Sequence, residues 1–275
     1  MGNIAIDPHL FPWQAPFSTL LPPRVLLMMI SRQLKFILAA RRRSLMNTPL
    51  ITRPVSILHG FGLCLFVSII FSTASIAGDE GFKPLFNGKD LDGWRTLTVE
   101  GNEIPVAQSS FSIKDGNLHC SGKGEDYWIV APGTYGDVVL RLEYKVADHA
   151  NSGVFMRVPK PGHPAFLGFE VQIMGDYGED TSNHSTGSIY DVLSPMRNMS
   201  KPSGEWNQYE ITNQGTRLVV ILNGFKVIDT DFASLTEPVG KFTMPYSEMP
   251  KQGWIGVQNH GGEISFRNIE IKELK

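Results

Sequence analysis

Six polar side chains on strand-like runs could together hold a hydroxylated ligand and move protons on it: Glu143, Arg157, Glu170, Gln172, Gln258 and His260. A carboxylate and an imidazole can trade protons near neutral pH, a guanidinium can stabilise a developing oxyanion, and planar amides bond pairs of hydroxyl groups. Carboxylates and amides gathered on one face, with an aromatic ring for the apolar side of a sugar, make a carbohydrate site. The bland counterpart is a solvated sheet face with ordinary salt bridges. Two glutamines, where Lys or Thr is more expected, tilt the set toward function.

These residues share a face only if the strands carrying them alternate in the same sense. In DVVLRLEYKVA, Leu140, Leu142, Tyr144 and Val146 point one way and Arg141, Glu143 and Lys145 the other. FEVQIM sends Val171 and Ile173 inward and Glu170 with Gln172 outward, and GWIGVQNH sends Ile255 and Val257 inward and Gln258 with His260 outward. SGVFMRV is ambiguous, with Val154, Met156 and Val158 in one set and Phe155 with Arg157 in the other.

Around these runs the chain from Gly81 onward reads as short alternating segments cut by Gly, Asn and Pro, without a helical period. Asp115-Gly116 and Asn223-Gly224 sit between apolar-alternating arms, the composition of two-residue hairpin turns. Roughly ten to twelve strands are expected, which indicates an all-β, two-sheet sandwich or jelly roll. The stretch 175–206 has little strand character and carries Tyr177, His184, Tyr190, Asp191 and Arg197, so it is expected to wall a site.

Charge divides the chain. Residues 1–77 hold seven of the 25 Lys and Arg and one of the 27 acids, leaving 18 basic against 26 acidic residues in the remainder. An acidic body argues against nucleic acid as a partner. Arg53 precedes a 16-residue apolar run, 57–72, followed by small residues to Ala77, which fits an export signal cleaved after Ala77; an uncleaved anchor through 57–72 is the alternative. Because Met46 would open a signal of ordinary length, the expected division is an extension at 1–45 from an early start codon, a signal peptide at 46–77 and a β-sandwich at 78–275. The mature form is expected to have no stable membrane span. Cys64 falls in the apolar run, so Cys120 is the lone cysteine of the body and is expected to pack as a small apolar residue. There is no Walker loop, GxSxG, HExxH or paired-cysteine motif. The acidic turns GEDYWIV and GDYGED do not match a calcium loop. No metal is assigned, and the cofactor is left open.

Seven segments in order resemble the 3-keto-disaccharide hydrolase domain family: LFNGKDLDGW (85–94), NSGVFMRV (151–158), FEVQIM (169–174), TGSIYDV (186–192), GEWNQYEI (204–211), VVILNG (219–224) and GWIGVQNHGGEISFRNIEIKEL (253–274). The resemblance implies a concanavalin A-like jelly roll, export in a bacterium, and action on glycosides oxidised at C3. A 3-keto group acidifies the C2 proton, so one base, one acid for the leaving oxygen and one cation or hydrogen-bond donor for the enolate suffice. On this reading Glu170 would serve as base, His260 as acid and Arg157 as enolate stabiliser. Glu143, Asn151, Gln172, Tyr190, Asp191, Gln258 and Trp94 would bind the carbohydrate, although Trp94 suits a core anchor as well as a sugar platform. A glycosidase carboxylate pair drawn from Glu143 and Glu170 stays open, as does a carbohydrate-binding module without catalysis.

Overall fold

The structure, a computed structural model, describes residues 81–275. The expected extension at 1–45, the signal at 46–77 with its apolar run, and the cleavage point after Ala77 lie outside the described residues.

Both hairpin dipeptides adopt the left-handed backbone that their turns need. Asp115 and Gly116, at φ 53° and 74°, join β4 (Phe111–Lys114) to β5 (Asn117–Cys120). Asn223 and Gly224, at 52° and 81°, join β11 (Arg217–Leu222) to β12 (Phe225–Asp231). These hairpins belong to an eight-stranded sheet ordered β12, β11, β10 (Asn207–Gln214), β7 (Val138–Val146), β14 (Ile264–Glu273), β5 and β4, with β1 (Lys83–Pro84) also paired to β14. The second sheet has six strands in the order β3 (Glu103–Ile104), β2 (Arg95–Leu97), β6 (Trp128–Val130), β13 (Trp254–Gln258), β8 (Asn151–Val158) and β9 (Phe169–Met174). Neighbours are antiparallel throughout, as in the expected all-β jelly-roll sandwich.

Period-two burial builds the core between the sheets. Val138, Leu140, Leu142, Tyr144 and Val146 of β7 are buried while the residues between them are half-buried. Facing them are Ile129, Val154, Met156, Val171, Ile173, Ile255 and Val257 of the six-stranded sheet. That sheet also has a second apolar cluster on its outer side, formed by Leu97, Trp128, Val130, Phe155 and Val158 with Ala165 of the short helix α1 (Pro164–Leu167). A sheet covered on its outer side can bury polar groups there, and this feature positions the site. Among the described residues, no helix is long and apolar enough to cross a membrane.

Candidate active site

Glu170 and Gln172 alternate with the core residues Val171 and Ile173, so both leave the core for the outer side of β9. The face was expected to be solvated, but each of the two is only 2% exposed. The 186–190 segment adds to the edge of β9: Gln172 N–H donates to Ser188 O, Gly187 N–H to Gln172 O and Tyr190 N–H to Glu170 O, each at 3.0 Å. Space for the carboxyl comes from β8, where a Cβ at Gly153 would overlap the Glu170 Oε1. The Gln172 amide, with its nitrogen toward Glu170, donates to Oε1 at 3.1 Å and to Ser152 O at 3.3 Å. No lysine, arginine or histidine pairs with this carboxylate among the described residues, and burial pushes its pKa up to about 8.

In front of Glu170 lies a cavity of about 380 Å³, lined among others by Tyr127, Asn151, His163, Lys241, Gln258 and His260. The Asn151 amide and His260 Nδ1 are hydrogen-bonded at 3.0 Å. Burial lowers the His260 pKa, and burial followed by the nearby His260 lowers that of His163, so both rings favour the neutral form. Tyr127 packs against both, with ring centroids 5.5 and 5.2 Å away. Its hydroxyl accepts from Gln258 Nε2 at 2.7 Å, leaving its own proton to donate. Burial first, and then the Glu170 charge, raises the Tyr127 pKa and keeps the phenol protonated. Gln258 Oε1 is buried without a protein partner. The cavity's cation is Lys241, whose ammonium donates to the Tyr190 hydroxyl at 3.2 Å.

The structure therefore brings together Glu170, Gln172, Asn151, Tyr190, Gln258 and His260, and places four other expected residues elsewhere, Trp94 in the core position that was one of its two readings. Arg157 leaves the face at a bulge: its φ is 54°, and the β8–β13 register shifts beside it. Arg157 is 5% exposed, and its guanidinium bonds Asp137 Oδ1 at 2.7 Å and Gly215 O at 2.8 Å, just outside the ends of β7 and β10. Glu143 lies on the outer face of the eight-stranded sheet, where Arg267 bonds it at 2.7 and 2.8 Å and Asn268 at 2.9 Å. Strand alternation sorts faces but not sheets, so the two glutamates could not be separated beforehand. Trp94 is a core residue edge-on to Phe86. Asp191 is a brace, with one oxygen on His184 Nε2 at 3.1 Å and the other on the Lys241 N–H at 2.6 Å.

Tyr127, His163 and Lys241 are the members that sequence reasoning missed. All three stand outside regular strands, so alternation gave no signal for them. Cys120 is buried beside the Ser110 hydroxyl at 3.4 Å, and burial raises its thiol pKa, in keeping with a packing role. Among the described residues, no three His, Cys, Asp or Glu gather to hold a metal ion.

The model of the 3-keto-alpha-glucoside-1,2-lyase-like domain family matches residues 81–272. A 3-keto-disaccharide hydrolase of Bacteroides thetaiotaomicron is 26% identical over 237 residues, covering 71% of this chain and 79% of that protein. A crystal structure from Parabacteroides distasonis, assigned as a glycosyl hydrolase, superposes with a TM-score of 0.60 at 30% identity, covering 70% of this chain and 99% of the other. A second protein of that organism with the same assignment superposes at 0.61 with 24% identity, over 71% of this chain and 95% of the other, and shows the shared fold.

Proposed function

Because the chain belongs to the 3-keto-alpha-glucoside-1,2-lyase-like domain family, we propose that it cleaves 3-keto-glycosides by elimination and rehydration in the cavity before Glu170. One observation carries the reading: a buried carboxyl that no cation pairs with, lining a cavity with amides and a lysine, is a far stronger base when ionised than an ordinary glutamate. Removing a C–H proton needs such a base.

Glu170 takes the C2 proton, and the C2–H electrons form the C2–C3 double bond of an enolate. Lys241, the cavity's cation, faces the charge on the C3 oxygen, the role expected of Arg157. Collapse of the enolate forms the C1–C2 double bond and breaks the C1–O bond, and Tyr127 donates its proton to the leaving oxygen. Water then adds at C1 as its proton goes to the Tyr127 oxygen, and Glu170, its proton exchanged with solvent through the open cavity once the leaving group departs, delivers a solvent-derived proton to C2. Hydrolysis results, with both residues restored.

A lowered pKa leaves the His260 ring neutral, without the second proton that an acid would give, so it serves instead as a hydrogen-bond partner of a sugar hydroxyl. Asn151, Gln172 and Gln258 supply the amides that orient the ring. The apolar run at 57–72 and the small residues to Ala77 support export of the domain 78–275.

Sugar release tests the proposal directly. Purified protein should release reducing sugar from a 3-keto-disaccharide and none from the unoxidised disaccharide; equal release from both would overturn it.

A further inference from the structure

We propose that a second cavity beside the first receives the leaving group, and that this group is a neutral, hydroxylated ring such as a second sugar. The inference rests on reading the first cavity as the seat of the oxidised ring. The second cavity, about 250 Å³, shares Val99, Tyr127 and His260 with the first. The cation and the unpaired carboxyl lie in the first. Of the two acids lining the second, Glu125 is exposed and Asp126 is buried, its carboxylate occupied by the N–H and hydroxyl of Ser110. The reacting ring therefore belongs in the first cavity, and a ligand that fills both must cross at Tyr127 and His260. That crossing puts the glycosidic oxygen against the one residue free to protonate it.

Part of the wall of the second cavity is backbone, contributed by Gly122, Gly124 and Gly261. Two close approaches hold it in shape: a Cβ at Gly122 would overlap the Gly262 backbone, and one at Gly262 would overlap Ala150. At Gly261 a Cβ would meet nothing within 4 Å, so that side is open. Peptide groups and the Asn259 amide, whose buried Oδ1 has no protein partner, can bond hydroxyls without demanding charge. Glu125 disfavours an anionic leaving ring.

The test uses Glu170→Gln protein, so that ligands survive, with and without Glu125→Trp. Calorimetry compares a 3-keto-disaccharide with methyl 3-keto-glucoside, which lacks the second ring. The tryptophan should weaken the disaccharide by about tenfold more than the methyl glycoside, and equal effects on both would overturn the proposal. Glu125→Gln, a milder change, should narrow the preference for a neutral over a uronate leaving ring; an unaltered preference counts against the proposal too. Turnover by the parent protein is a separate reading. If the parent cleaved neither substrate, the proposed reaction would fail while the affinity ratio still reported on the second cavity.

Discussion

Glu143 and Glu170 both stand on the outer face of a sheet, flanked in sequence by core residues, yet their surroundings are opposite. On the eight-stranded sheet Glu143 meets Arg267 and Asn268 with 23% of its side chain exposed, and Arg141 likewise meets Glu210 at 2.7 Å. Charges there are paired and wet, the condition in which an ion pair is worth about 0–1 kcal/mol. On the six-stranded sheet a second apolar cluster covers the outer side, Glu170 is buried there, and no cation pairs with it among the described residues. What covers a sheet face, more than which residues point from it, decides whether a carboxylate is a surface charge or a base.

The sharpest break of this contrast is Glu170→Gln. It should lower kcat by about 10² to 10⁴, the usual contribution of a general base, with binding largely kept; kinetics within a few-fold of the parent would move the base elsewhere. Stability should move the other way. A carboxyl whose pKa rises from about 4.5 unfolded to about 8 folded stabilises the native state below the lower value and loses that contribution as pH climbs to the higher one. The cost of ionising it in place reaches roughly 5 kcal/mol, so thermal melts should show the amide variant gaining on the parent between pH 5 and 8. In the parent, kcat/KM should rise toward a plateau above pH 8.

The two cations extend the contrast. Lys241→Met should cost about 10²-fold in kcat, as loss of an oxyanion partner does. Arg157→Met should leave kcat alone and cost about 2 kcal/mol in denaturant unfolding, because it strips charged hydrogen bonds from Gly215 O and a half-exposed Asp137. Swapped outcomes would restore Arg157 as the enolate stabiliser.

Smaller again is Gly153→Ala, where the new methyl must displace the Glu170 carboxyl. Activity should fall about tenfold, with overpacking costing about 1–3 kcal/mol, and the kinetic pKa should drop as the carboxyl moves toward water. An unchanged pH profile would show that Gly153 does not place it. Least affected is Glu143→Gln, which should change melting slightly and turnover not at all.

The jelly roll was legible because period-two alternation and two Gly-containing hairpin turns are local signals, and β7 buries the set that its pattern names. Of the site, Glu170, Gln172 and Gln258 were legible for the same reason. Arg157 was misread because a bulge with positive φ reverses the alternation that its neighbours obey. Glu143 was misread because pairing partners, which assign a strand to a sheet, are far apart in sequence. Tyr127 and Lys241 sit in loops, where side-chain direction depends on tertiary contacts that no local pattern encodes.

Glu170 as the base of an elimination is tested most directly by cleaving a 3-keto-disaccharide in D₂O and reading the released keto sugar by NMR, corrected for spontaneous exchange. The account predicts deuterium at C2 in step with release by the parent, with both lost together in Glu170→Gln. Release that left C2 protiated would contradict it.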